Sequence, residues 1–166
     1  MTDPRVSERH QTGLTHLRAD GSAHMVDVSA KDVTVRSATA VGRVLLSPAA
    51  VAALRGGTVP KGDALSVARI AGILAAKRTP DLIPLAHPIG VHAVEVDLTV
   101  VDDGVDLTAT VRTADRTGVE MEALTAVAVG ALALVDMVKA VDRHSRITDV
   151  HVTAKSGGRS GDWVQS

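Results

Sequence analysis

The chain of 166 residues contains no cysteine, no phenylalanine and no tyrosine, and only one tryptophan. Without cysteine, disulfides and thiolate chemistry are both excluded. Without aromatic platforms, the stacking by which single-stranded nucleic acids are held has no basis. A formal net charge of −1 lacks the basic surplus that a generic polyanion binder needs. The N-terminus, MTDPRVSERHQTG, carries no apolar run, so no signal peptide is read there. One internal stretch, residues 126–135, is wholly apolar, yet shorter than the about 20 residues that cross a bilayer. A cytoplasmic protein with no membrane and no nucleic-acid partner is expected.

What is present is a chain long enough for one domain with a core of Val, Ala, Leu and Ile. Residues 1–20 are polar and unpatterned, which predicts a mobile N-terminal segment, with a single catalytic domain over 21–166 that ends in a glycine-rich tail. A Val- and Thr-rich strand is expected from Asp32 to Leu45, with Val33, Val35, Thr39 and Val41 on one face. Ser47-Pro48 supplies an N-cap and a proline at the first helical position, and Leu46 and Val51 are spaced for a hydrophobic staple. That short helix stops at Gly56-Gly57. A second helix runs from about Asp63 to Arg78 and is stopped by Pro80. Two prolines in Leu82–Gly90, LIPLAHPIG, forbid a regular element there. Val91–Thr113 reads as a hairpin turning at Asp103-Gly104, the pattern of a type I′ turn. That turn pairs Val100 with Leu107, Val96 with Val111 and Glu95 with Arg112. A long helix, Thr117 to about Asp142, precedes a last strand from about Ile147 to Lys155.

Without the extra short helix, the order is the split βαβ pattern of ferredoxin-like folds: an α+β domain whose antiparallel sheet carries its helices on one face. A sheet covers only one side of a helix, yet the long helix is apolar nearly all round. The surplus is most cheaply buried against a second copy of the chain, so a homo-oligomer is expected.

Several side chains could carry chemistry. Asp136 follows the apolar run of the long helix, with Lys139 three residues on and on the same face. An ionised carboxylate in apolar surroundings is costly unless compensated, and such groups often have altered proton affinity. The plain alternative is an intrahelical ion pair near a helix end, where lysine also suits the dipole. Thr117-Gly-Val-Glu120 matches a capping box, which assigns Glu120 a structural role; Glu122, on roughly the opposite face, is not explained by capping. His87 is held in the proline-fixed loop, with no spacing to a partner that suggests a metal. Lys61 precedes a helix N-terminus, a natural anion site. Lys155 and Arg159 frame the glycines of KSGGRSG, which is not a Walker A loop because no helix follows. Both lysines could equally be solvated loop residues. Together, the cations suggest a polyphosphate ligand.

The segments AHMVDVSAKDVTVRSATA, PKGDALSVARIAGILAAKRTPDLIPLAHPI, TGVEMEALTAVAVGALALVDMVKAVDR and KSGGRSGDW closely resemble the MoaC family of molybdenum cofactor biosynthesis, the cyclic pyranopterin monophosphate synthases. The likeness spans about residues 14 to 163. Two positions depart from the family's usual pattern: Ala86 and Val138 stand where cysteine is common. The resemblance implies a lyase that rearranges 3′,8-cyclo-7,8-dihydroguanosine 5′-triphosphate to a pyranopterin bearing a cyclic phosphate, with loss of diphosphate. By motif position it implies Asp136 as the general acid/base, Lys139 as its catalytic partner, and Lys61 in catalysis or phosphate binding. It implies Leu85, Ala86, His87, Glu120, Met121, Glu122 and Lys155 around the substrate, with Lys77 and Arg36 as weaker assignments. No cofactor is required, and a magnesium ion could accompany the triphosphate.

Glu120 and Asp136 lie sixteen residues apart on one helix, about 24 Å at 1.5 Å per residue. One compact substrate does not reach both within a subunit. A pocket shared across an interface is therefore expected, and a hexamer built as a trimer of dimers fits. The rival reading is a non-catalytic oligomeric ferredoxin-like module that senses a nucleotide, which would not need the acid.

Overall fold

A computed structural model of the chain describes residues 20–159 and 161–165. The expected mobile segment over residues 1–20 lies, apart from Asp20, outside the described residues.

Strand β1, Thr34–Leu45, leads into helix α1, Pro48–Arg55, and then into α2, Ala64–Ala76. Ser47 caps α1 by accepting from the Ala50 amide, and Asp63 caps α2 by accepting from the Ser66 amide. Each cap satisfies an N–H that the helix itself leaves unpaired. Gly56 closes α1 and Gly57 follows at a φ of 65°. Pro80 does more than end α2, because it opens a further single turn, α3, Thr79–Leu82. The hairpin strands β2, Val91–Val101, and β3, Gly104–Asp115, precede the long helix α4, Glu120–Val138. After α4 come β4, Arg146–Ser156, and a short β5, Trp163–Val164, where only a glycine-rich tail was expected. The sheet is antiparallel in the order β2-β3-β1-β4-β5, so the first four strands follow the ferredoxin-like order.

The hairpin is present, but its turn and register differ from the expected ones. The two-residue loop is Asp102-Asp103, so Val100 pairs with Val105, Leu98 with Leu107, and Glu95 with Thr110. The two-residue shift preserves which face each side chain takes, and the core is unaffected. Gly104 serves a different purpose from the one the Asp-Gly pattern suggests. It sits opposite Leu45 in the β1 ladder, where a Cβ would collide with the Val44 carbonyl. Its role is close approach between strands.

The face of β1 that meets the helices is the small one: Ala38, Ala40 and Val44 are buried, whereas Val35 and Val33 are exposed. Small residues let α4 lie close to the sheet. A Cβ on Gly42 would come within 2.6 Å of Val127 Cγ1. Gly72 of α2 and Gly130 of α4 repeat the device between the helices, lying against the carbonyls of Ala126 and Ala68 respectively. Leu107 and Leu134 are fully buried in the resulting core, each stabilising it by roughly 1.5–3 kcal/mol relative to exposure.

Helix α4 is long and apolar enough to cross a membrane, contrary to the expectation from its apolar run alone. Packed on the sheet and on α2, it is a core helix of the domain. Among the described residues, its remaining surface and that of α2 are uncovered. Val67, Ile70 and Leu74 form a stripe along α2, and Leu132 of α4 is 60% exposed.

Candidate active site

The antiparallel packing of α2 on α4 creates two clusters, one at each end of α4. At the C-terminal end, Asp136 accepts from Lys139 Nζ and from Lys61 Nζ, each at 2.7 Å. Lys139 is one helical turn away, and Lys61 arrives from the loop that precedes α2. The three residues expected to carry catalysis are thus one contiguous group. Their setting is not the expected one, however: the Asp136 side chain is 55% exposed rather than embedded in apolar surroundings. It lies on the outward face of α4, one turn beyond Leu132. The Lys139 hydrogen bond, reinforced by that of Lys61, lowers the Asp136 pKa to about 2. Asp136 in turn raises that of Lys139. Within one subunit this carboxylate is ionised at every physiological pH.

At the N-terminal end lies a cavity of about 690 Å³, a volume suited to a nucleotide-sized ligand. The irregular Leu85–His87 segment forms one wall and the first turn of α4, with Glu120, Met121 and Glu122, another. The end of β4, with Lys155 to Gly157, forms a third, and Arg36 reaches in from β1. These residues include eight of the nine expected around a substrate. The ninth, Lys77, is the exposed C-cap of α2, at this end of the helix pair but outside the cavity wall.

Glu120 does not close a capping box. The N-cap of α4 is Val119, with no side-chain cap. Gly118 leaves room for the Glu120 carboxylate to fold over it, since a Cβ there would overlap Oε2. The carboxylate pairs with Lys155 Nζ at 3.1 Å, a contact made across 35 residues of sequence. Glu122 is 3% exposed, and its pKa is raised, chiefly by desolvation and secondarily by the Glu120 charge. His87 Nε2 bonds the Val26 carbonyl at 2.7 Å, tying the segment before β1 to the cavity rim.

Two cations in the wall carry no motif that sequence reasoning could use: Lys31 and Arg116. Arg116 donates through Nε to the Lys31 backbone carbonyl at 2.9 Å, linking the two loops. Both lie in loops without periodicity. With Arg36 and Lys155 they make four cations around one cavity, against two acids of which one has a raised pKa. A polyanion with a polar, proton-exchanging head suits that lining.

The profile of the MoaC family matches residues 25–158. The cyclic pyranopterin monophosphate synthase of Streptomyces coelicolor is 66% identical over 156 residues, covering 94% of this chain and 92% of its own. That of Corynebacterium glutamicum is 55% identical over 150 residues, covering 90% and 96%. Cyclic pyranopterin monophosphate synthase 2 of Mycobacterium tuberculosis is 54% identical over 160 residues, covering 96% of each. Identity at this level over nearly the whole length leaves one conclusion: the chain belongs to the MoaC family of cyclic pyranopterin monophosphate synthases.

Proposed function

We propose that the chain converts 3′,8-cyclo-7,8-dihydroguanosine 5′-triphosphate to cyclic pyranopterin monophosphate with release of diphosphate. The cavity at the N-terminal end of α4 would hold the substrate, and the Asp136–Lys139–Lys61 group of a second subunit would complete it. The observation that carries this reading is the pairing of four cations with a buried carboxyl in one cavity. Lys155, Arg36, Lys31 and Arg116 match a triphosphate, whose transferring charge such groups stabilise. Glu122, buried in the cavity wall with its pKa raised by desolvation, is the carboxyl there proposed to give and take a proton.

The second subunit enters on two grounds. A single helix separates Asp136 from the cavity by about 24 Å, so the catalytic group has no access to a substrate held there. The outward surface that carries Asp136 also exposes Leu132, with Val67, Ile70 and Leu74 on the neighbouring helix. Covering that apolar surface with a second copy would remove water from around Asp136. Desolvation raises a carboxylate's pKa, and a lysine facing a substrate phosphate instead of Asp136 would raise it again. In this way a carboxylate that is firmly ionised in the free subunit becomes an acid/base in the assembled site. Trimers of such dimers are the proposed assembly. Magnesium, where it takes part, would arrive with the triphosphate, since among the described residues no cluster of His, Asp and Glu could hold a metal.

Incubating the protein with the cyclised nucleotide and following diphosphate release tests the reading. Stoichiometric binding without release would instead support the nucleotide-sensing module.

A further inference from the structure

The tail after β4 turns back on itself over a run of glycines, and its contacts include two cavity residues, Lys155 and Arg36. Gly157, Gly158 and Gly161 take φ values of 84°, 78° and 67°, the left-handed region that glycine enters without cost. The Gly157 amide donates to Asp162 Oδ1 at 3.0 Å, closing the turn. Beyond it, Trp163 pairs with Lys155, and the Gln165 amide donates to the Thr153 carbonyl at 2.8 Å. The returning tail thereby clamps the strand that presents Lys155. On the other side, Gly157 lies against the Val35 carbonyl and Gly158 against the Arg36 guanidinium. A Cβ on Gly158 would overlap that guanidinium, which donates through Nε to the Asp115 carbonyl at 3.0 Å. Gly158 thus leaves open the space that the Arg36 guanidinium occupies in the cavity wall.

We infer that Gly158 and Asp162 are positioning residues, which hold Arg36 and Lys155 on the phosphates of the substrate. The inference rests on the triphosphate-binding reading of the cavity. Gly158 admits the guanidinium, and Asp162 fixes the turn that returns the tail along Lys155. Neither touches the substrate in this scheme.

Gly161 provides a matched control, because its φ is also left-handed but, among the described residues beyond its chain neighbours, no atom lies within 4 Å of a Cβ built there. Gly161→Ala imposes the backbone cost alone, and Gly158→Ala adds displacement of Arg36. Calorimetric binding of inorganic triphosphate to the full-length chain reads the difference without requiring turnover. Gly158→Ala is expected to weaken binding roughly tenfold, the worth of one charge-assisted contact, and Gly161→Ala less than about twofold. In the Arg36→Ala background, Gly158→Ala should add nothing, as expected for residues that act as one unit. Asp162→Ala, which introduces no overlap, should weaken binding several-fold, with Asp162→Asn retaining most of it. Equal affinities for Gly158→Ala and Gly161→Ala, full additivity with Arg36→Ala, or an unchanged Asp162→Ala variant would each overturn the inference. If the wild type released diphosphate from the nucleotide yet did not bind triphosphate, the clasp would fall while the reaction stood. Clasp behaviour as expected without any turnover would have the opposite meaning.

Discussion

The two ends of helix α4 solve opposite problems. At its N-terminal end the chain surrounds a cavity on several sides and buries Glu122 within the wall, where desolvation favours the protonated form. At its C-terminal end Asp136 faces solvent between two lysines, which favour the ionised form. One end is a cavity with a buried carboxyl in its wall, the other a solvent-facing charged group. In the proposed function each end supplies half of a site, and the length of α4 keeps the two halves of one subunit about 24 Å apart. The proposed dimer brings the halves together in another pairing, with the exposed apolar residues of α2 and α4 as the surface it would cover.

The comparison is broken most severely at Asp136. Asp136→Asn keeps the shape but can neither exchange a proton nor hold two ammonium groups. It should fold, bind the nucleotide, and lose about 10³-fold or more in diphosphate release, the upper range for removal of a general acid/base. Retained turnover would reassign the chemistry. At the other end, Lys155→Ala should weaken nucleotide binding by roughly ten- to a hundredfold at low salt, with less difference at high salt, because its proposed target is a polyanion. Titration calorimetry at two ionic strengths checks this, and equal affinities at low salt would make the Lys155–Glu120 pair purely structural.

A smaller effect separates fold from site. Asp142 is buried just beyond α4, where it accepts from the Ser47 and His144 amides at 2.6 and 2.8 Å. Asp142→Ala strands both donors and should cost about 1–3 kcal/mol in chemical unfolding, leaving turnover of the folded fraction near wild type. The smallest effect is the pH dependence of Glu122. Its folded pKa is raised, so the stability it contributes is fully present below its unfolded value of 4.5 and is lost as pH rises through the folded one. Glu122→Gln should therefore be less sensitive to pH than the wild type over that window in urea midpoints. Parallel curves would mean that the carboxyl is not desolvated.

Much of the fold could be read locally. Ser47-Pro48 and Asp63 announce helix starts through side-chain oxygens that the helix needs, and the alternation in Val91–Thr113 marks a hairpin. The surplus apolar surface of α4 was legible as well, since no single sheet can cover a helix all round. What escaped local reading was set by distant contacts. Gly104 looks like a turn glycine, but its neighbour is Val44, sixty residues earlier in the chain. Glu120 fits a capping box, yet Lys155 competes for the carboxylate with a full charge. Asp136 sits in an apolar stretch of sequence, but helical geometry puts it on the outward face with exposed Leu132 rather than among the buried residues of that stretch. Lys31 and Arg116 join the cavity from loops in which nothing in the sequence pattern sets them apart.

The claim on which the account depends is that a working site takes its two halves from two chains. Subunits of Asp136→Ala and Glu120→Ala, each inactive alone, can be mixed after reversible dissociation, with exchange verified by mass labels. In a two-fold dimer, random pairing makes half the dimers hybrid, and each hybrid has one site with both residues and one with neither. Diphosphate release should recover to about a quarter of the wild-type rate. Complete exchange with no recovery would place both residues in the same chain's site and contradict the account.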